Sequence, residues 1–212
     1  MGKVFERLKD YYEEDEKIFC TTKFEIDTGI TVLVGCNGTG KSTCLKIIKR
    51  QLDKEDINYY SYDNKTDGRW MRDKAIQAED YTYVAKSMYS SEGEEIMLNL
   101  TRVIGSVGQY VRKNKDQREL WLLFDAIDSG FSIDNIIEFK NVLKMILQDN
   151  AEKDIYIIIS ANSFEMAVGE NCLDAQRGVY RHFSSYEAYK NFILKSFKTK
   201  CKLRGWENKE GA

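Results

Sequence analysis

Runs of apolar residues alternate along the chain with stretches in which apolar residues recur every three or four positions. Leu120–Phe124 and Ile155–Ile159 are apolar throughout, which is typical of strands buried on both faces of a parallel sheet. Ile133–Leu147, between them, has helical spacing, and we expect Ser132 to cap its N-terminus. A strand, a helix and a second strand in this order predict a parallel β-α-β unit. The pattern therefore predicts an α/β fold of three layers, α/β/α, around a mostly parallel sheet.

Weaker forms of the same two patterns predict the rest of the chain, and no repeat or linker divides it. Helices are predicted at 2–14, 41–52, 94–112 and 184–203. Strands are predicted at 18–26, 31–34, 57–62 and 179–183. We expect one domain over residues 1–212, with a small helical lobe at about 65–115 and a C-terminal strand and basic helix at about 179–212.

The charge and composition narrow the class of protein. Lys and Arg number 32 against 34 Asp and Glu, which gives a net charge of −2 and argues against a generally basic protein that coats nucleic acid. No apolar run approaches the ~20 residues that span a bilayer, and the first residues lack the apolar stretch of a signal peptide. The 5 cysteines are irregularly spaced, which indicates reduced thiols. These features predict a cytoplasmic protein without an integral membrane segment.

The most specific motif is a glycine-rich loop between the predicted strand at 31–34 and the predicted helix at 41–52. It matches the phosphate-binding pattern G-x-x-x-x-G-K-[ST]. Glycines let backbone amides approach phosphate oxygens, and the following helix adds its positive end. Lys41 is placed to reach the β- and γ-phosphates of ATP, and the Ser42 hydroxyl to bind Mg²⁺. The residues predicted to bind the nucleotide here are Gly35, Cys36, Asn37, Gly38, Thr39, Gly40, Lys41, Ser42 and Thr43.

Two further segments bear on the same chemistry. Asp125 follows the apolar run Leu120–Phe124, where an aspartate beside a phosphate loop holds Mg²⁺ through water. Ser90–Glu94 stands at the start of the predicted helix at 94–112, where hydroxyls and free amides suit an anion, although Ser-x-x-Glu is also a common helix cap. Asp125 is therefore predicted to be a metal ligand and, with Lys41, a catalytic residue.

The order of these motifs resembles that of the ABC-type ATPases, a family of P-loop NTPases. It is more similar to the compact chromosome-maintenance and DNA-repair branch than to the transporters. The resemblance covers about residues 18–163 and includes Ser129–Ser132 at the position of the D-loop. Asn162 stands where the family has a histidine that senses the γ-phosphate. Small ATPases of phages and mobile elements are also similar around Asp125–Ile133 and in the tyrosine-rich last helix.

The resemblance implies a mechanism for two chains acting together. Ser91–Glu94 looks like a degenerate form of the family's signature motif. Two chains would sandwich two ATP molecules, with Ser91 and Gly93 of one chain on the γ-phosphate held by the other. ATP would then favour a closed homodimer, and hydrolysis or release would open it. Gln77 is the candidate for the family's Q-loop glutamine, which contacts Mg²⁺.

Ala126 is the main departure from the family, which has a glutamate there to activate the attacking water. An alanine cannot accept a proton, and loss of a general base lowers the rate by roughly 10²–10⁴-fold. Three explanations stay open. Asp128 takes over the role, Ala126 replaces a glutamate by design to trap ATP, or the chain is naturally a slow or non-hydrolysing switch.

We therefore expect a Mg-ATP-dependent homodimer with weak ATPase activity. Its expected role is in nucleic-acid maintenance, phage function or defence, with a protein or a nucleic acid as partner. The basic residues of the last helix are predicted either to track a phosphate backbone or to form a solvated face. Two alternatives stay open: a P-loop nucleoside or nucleotide kinase, and a non-hydrolysing, ATP-gated adaptor for a partner protein.

Overall fold

A computed structural model describes residues 2–7, 18–68, 75–89 and 92–206. The strands are β1 (Lys3–Glu6), β2 (Lys23–Ile26), β3 (Gly29–Val34), β4 (Tyr60–Asp63), β5 (Glu119–Asp125), β6 (Asp154–Ser160), β7 (Asn171–Asp174) and β8 (Tyr180–Arg181). The helices are α1 (Lys41–Lys54), α2 (Tyr81–Tyr89), α3 (Glu92–Lys113), α4 (Ile133–Asp149), α5 (Phe164–Ala167) and α6 (Tyr186–Leu203), and a π-helical turn covers Asn64–Gly68.

Six strands form the central sheet in the order β4-β5-β6-β3-β7-β8. All neighbouring pairs are parallel except β7 and β8, which are antiparallel. The carboxyl ends of β3, β5 and β6 therefore meet at one edge of the sheet. The predicted α/β class with a mostly parallel sheet is confirmed.

Hydrophobic residues cover both faces of the sheet. On one face, alternate residues of β5 such as Leu122 and Phe124 pack with α3 and α4 in one cluster. On the other face, Trp121 and Leu123 pack with α1 and with the hairpin of β1 and β2. The predicted three layers are present, but one outer layer combines a helix with two strands. This alternation places α1 and α4 on opposite faces of the sheet.

The N-terminal helix predicted at 2–14 is wrong over Lys3–Glu6, which pairs with β2 as an antiparallel strand. The reason is tertiary: Phe5 is fully buried against the Phe24 and Trp121 rings. Arg7 then anchors the hairpin to the turn after β7 by donating to the carbonyl oxygens of Ala175 and Gln176 at 2.8 and 3.1 Å. Burial lowers the pKa of this guanidinium.

The ends of several other strands and helices differ from the predicted ends by a few residues. The predicted strand at 179–183 is shortened to β8, and β7, α2 and α5 were not predicted. Ser132 precedes α4 as expected, but its side chain makes no capping hydrogen bond. It bonds the Asp134 carboxylate instead and lowers the pKa of that group.

The stretch at about 65–115 contributes α2 and α3. Its buried residues Ala75, Tyr83, Leu100 and Val103 belong to the same hydrophobic cluster as the central sheet. In the described parts of the chain, no helix is long and apolar enough to cross a bilayer.

Candidate functional site

The glycine-rich loop connects the end of β3 at Val34 to the start of α1 at Lys41. Two of its glycines are required by close contacts and by positive φ angles. Gly35 has φ 146° and a Cβ there would lie 2.5 Å from Thr39 Oγ1. Gly40 has φ 88° and its Cβ would lie 2.5 Å from the Phe19 ring. The packed surroundings therefore hold the loop in one tight path directly before the helix.

Lys41 is the buried cation of this loop, with only 8% of its surface exposed. Its Nζ donates to the carbonyl oxygens of Gly35 at 2.8 Å and Cys36 at 3.4 Å. Burial lowers the pKa of the ammonium, while the negative charges of Asp128 and Asp125 nearby act in the opposite direction. The lysine thus lies folded onto the loop, where the carbonyl oxygens compensate its positive charge.

Ser42 and Asp125 meet at the carboxyl edge of the sheet. The Ser42 hydroxyl donates to Asp125 Oδ1 at 3.0 Å, and the Ser160 hydroxyl donates to the same oxygen. The sheet register explains the contact, because Asp125 pairs with Ser160 at the ends of β5 and β6. A hydroxyl and a carboxylate are hard oxygen ligands of the kind Mg²⁺ prefers. The residues present therefore fit the metal.

Ser160 was missed by the sequence analysis. Its signal was visible as the first polar residue after the apolar run Ile155–Ile159, in the same position relative to β6 as Asp125 has relative to β5. In parallel strands such residues share one edge.

Ala126 follows Asp125 with a positive φ of 53°. Its N–H donates to the Ser160 carbonyl oxygen at 3.2 Å and to the Ser160 hydroxyl at 3.0 Å. The chain therefore turns sharply away from the strand at the point where the resembling family carries its catalytic glutamate.

Asp128 is buried, with 8% of its surface exposed. Its Oδ2 accepts the backbone N–H groups of Asn162 and Ser163, both at 2.8 Å. Its Oδ1 is buried and has no hydrogen-bond partner among the described residues. Asp128 thus ties the loop after β5 to the loop after β6 with one oxygen and leaves the other uncompensated.

The remaining predicted site residues are placed as follows. Asn162 is exposed, and its carbonyl oxygen accepts the Tyr189 hydroxyl at 2.8 Å. Gln77 is exposed in a short helical stretch, and no hydrogen bond within the described residues joins it to Ser42 or Asp125. Gly93 lies in the first turn of α3, while Ser91 lies outside the described residues.

Helix α6 contacts the outer side of the glycine-rich loop. The Ser196 hydroxyl accepts the N–H of Cys36 at 3.3 Å. Lys200 Nζ donates to the Asn37 carbonyl oxygen at 3.0 Å, and Arg204 Nη2 donates to that of Gly38 at 3.4 Å. Their spacing of four and eight residues puts all three on one side of α6 and its C-terminal end, although the spacing alone does not indicate that this side contacts the loop. The contacts tie the conformation of the loop to the position of α6.

The described residues contain no group of three or more His, Cys, Asp or Glu side chains arranged to hold a metal ion. A cavity of about 780 Å³ lies away from the loop, between β8 and α6.

The chain was compared with protein families, curated proteins and solved structures. No family model matches the chain, and no curated protein matches it. Among solved structures, the crystal structure of Stu0660 of Streptococcus thermophilus is similar over 92% of this chain and 80% of that one, at 11% identity and a TM-score of 0.44.

Proposed function

We propose that this protein binds Mg-ATP at Gly35–Thr43 and acts as a molecular switch through ATP-dependent homodimerisation with slow hydrolysis. The observation that carries the proposal is the 3.0 Å contact between Ser42 Oγ and Asp125 Oδ1, two residues 83 positions apart. A loop that merely turned the chain would have no need of a carboxylate at its helix start. The contact joins the two groups through which P-loop NTPases hold Mg²⁺.

The chain supplies a role for each part of this site. Backbone N–H groups of the loop and of the first turn of α1 would bind the phosphate oxygens. Lys41 would move from the Gly35 carbonyl oxygen to a phosphate oxygen, a stronger acceptor because it is charged. Ser42 would hold Mg²⁺ directly and Asp125 through water, with Ser160 fixing the carboxylate. The bound ion would neutralise charge on the β- and γ-phosphates.

Slow hydrolysis follows from the residues after Asp125. Ala126 cannot take a proton from water. Asp128 accepts two N–H groups through Oδ2, so only its buried Oδ1 is left to accept from a water. The site therefore favours ATP binding over turnover, which also supports the adaptor alternative.

Homodimerisation rests on the resemblance to the ABC-type ATPases. Gly93 lies in the first turn of α3, and the first turn of a helix presents backbone N–H groups that favour an anion. Ser91 and Gly93 of one chain would contact the γ-phosphate bound by the other. We place the protein in the cytoplasm, in nucleic-acid maintenance, phage function or defence.

Light scattering during gel filtration tests this proposal. We expect the molar mass to double with Mg-ATP and not with Mg-ADP. Ser91→Arg should remain monomeric while still binding ATP, whereas Ser184→Arg, an exposed serine before α6, should dimerise like the wild type. A mass that ignores Mg-ATP would refute the switch, and phosphate transfer to a nucleoside would then establish the kinase alternative.

A further inference from the structure

The cavity between β8 and α6 is lined by basic side chains. It has a volume of about 780 Å³, and its lining includes Arg177, Arg181, Lys195 and Lys198. None of the described residues that line it is acidic. In a chain with a net charge of −2, this is a local concentration of positive charge within a concave surface.

Asp174 holds the two arginines in place, and its side chain is 1% exposed. Asp174 Oδ2 lies 3.5 Å from Arg177 Nη1 and 3.4 Å from Arg181 Nε. Arg177 also donates to Thr199 Oγ1 at 3.0 Å, and the Arg181 guanidinium lies 5.3 Å from the centre of the Phe192 ring. Arginines fixed in this way lose less conformational entropy on binding a ligand.

One buried carboxylate contacts two of the four cations, so an excess of positive charge remains for a ligand. Arg181 lines the cavity and bonds Asp174 through Nε, so the outer nitrogens of its guanidinium are not used in that contact. A guanidinium binds phosphate oxygens in pairs, and lysines add point charges. We infer that this cavity is a second anion site, which binds a ligand with consecutive phosphate groups.

The shape of the site favours several phosphates over one. Among the lining residues, Asn191, Lys195 and Lys198 follow one stripe of α6, because they are spaced by four and three residues. Seven residues of helix correspond to about 10 Å. An inorganic polyphosphate chain and the backbone of a nucleic acid strand share this chemistry.

The site is distinct from the glycine-rich loop. The residues of α6 that contact the loop are Ser196, Lys200 and Arg204, which lie on a different face from Lys195 and Lys198. The inference therefore does not depend on ATP binding, and the two can fail separately.

Equilibrium binding to two probes tests it with the full chain. The probes are a fluorescently labelled single-stranded 20-nucleotide DNA, followed by anisotropy, and inorganic tripolyphosphate, followed by calorimetry. The variant is Lys195→Gln/Lys198→Gln, whose lysines are both exposed, so its thermal midpoint should equal that of the wild type. Lys113→Gln/Lys115→Gln, at the end of α3, removes the same charge elsewhere as a control.

We expect the Lys195/Lys198 variant to bind at least one probe about tenfold more weakly, and the control variant to bind like the wild type. For DNA, the slope of log Kd against log salt should fall by about 1.4, because two phosphate contacts are lost. Weakening for DNA alone identifies a nucleic acid strand, and weakening for tripolyphosphate alone identifies a small polyphosphate. Equal binding of both probes by wild type and variant, or no binding of either to the wild type, would overturn the inference.

Discussion

Replacing Asp125 with asparagine distinguishes the contribution of Mg²⁺ to ATP affinity from the contribution of the phosphates. The asparagine keeps an oxygen that can accept the Ser42 and Ser160 hydroxyls, so the local hydrogen bonds survive. What disappears is the negative charge 3.0 Å from Ser42 Oγ. If this oxygen helps to hold Mg²⁺, the substitution removes the part of the affinity that depends on the ion.

The magnitude follows from the surroundings of the carboxylate. At the proposed site, Asp125 would accept a hydrogen bond from a water on Mg²⁺. A hydrogen bond to a charged group contributes about 1.5–3 kcal/mol. Because Asp125 is half-buried, we take the lower half of that range. This corresponds to roughly tenfold to fortyfold weaker binding of Mg-ATP. Without Mg²⁺ the sign reverses, because Asp125 repels the triphosphate. Asp125→Asn should then bind ATP as tightly as the wild type, or more tightly.

The assay is a titration with a fluorescent ATP analogue, once in Mg²⁺ and once in EDTA. Asp149→Asn is the matched control, since Asp149 is exposed at the end of α4, near the start of β6 and so at the opposite edge of the sheet. It should behave like the wild type in both conditions.

Two results would contradict a role for Asp125 in holding Mg²⁺. If Mg²⁺ strengthened binding equally in the wild type and in Asp125→Asn, Asp125 would have no part in holding the ion. If Asp125→Asn weakened binding as much in EDTA as in Mg²⁺, the loss would come from a distorted loop.

The remaining predictions concern the loop, hydrolysis and pH. Gly40→Ala brings a Cβ to 2.5 Å from the Phe19 ring, whereas a Cβ at Gly29, with a similar φ of 93°, meets nothing within 4 Å. Thermal unfolding should therefore show Gly40→Ala to be less stable than Gly29→Ala by about 1–3 kcal/mol. Equal midpoints for the two variants would contradict this. Ala126→Glu should raise the single-turnover hydrolysis rate by roughly 10²–10⁴-fold, and Ala126→Gln should not; equal rates would show that a base there is not what is missing. Because burial lowers the pKa of Lys41 below its usual 10.5, the ammonium loses its proton at a lower pH than a free lysine does. ATP affinity should therefore fall in alkaline solution. Lys41→Arg should remove this fall, since a guanidinium stays charged.

Local sequence patterns were sufficient for the elements that frame the site. The strand before the loop, helix α1, and the β5-α4-β6 unit were predicted to within a few residues. Strands β5 and β6 have apolar runs, α1 and α4 have a clear helical period, and the short strand before the loop is marked by the glycine-rich motif that follows it. Strand β7 has four residues, too few to show a period. Strand β1 is fixed by pairing with β2 and by burial of Phe5, neither of which a local pattern contains.

The candidate site divides in the same way. Gly35–Thr43 is a continuous motif, so its residues could be identified without a fold. Ser160 and Lys200 approach it only through the sheet register and the packing of α6. The hydrogen bond from the Asn162 N–H to Asp128 could not be predicted without the tertiary structure either, because the sequence shows only a carboxylate two residues after Ala126.

Calorimetric titration of the full chain with ATP in Mg²⁺ is the direct test of ATP binding at Gly35–Thr43. Lys41→Met is the comparison, since methionine fills much of the buried lysine stem without the charge. We expect saturable binding of one ATP per chain by the wild type, and its loss in Lys41→Met. No binding by the wild type, or equal affinity in the two proteins, would contradict the assignment of Gly35–Thr43 as an ATP site.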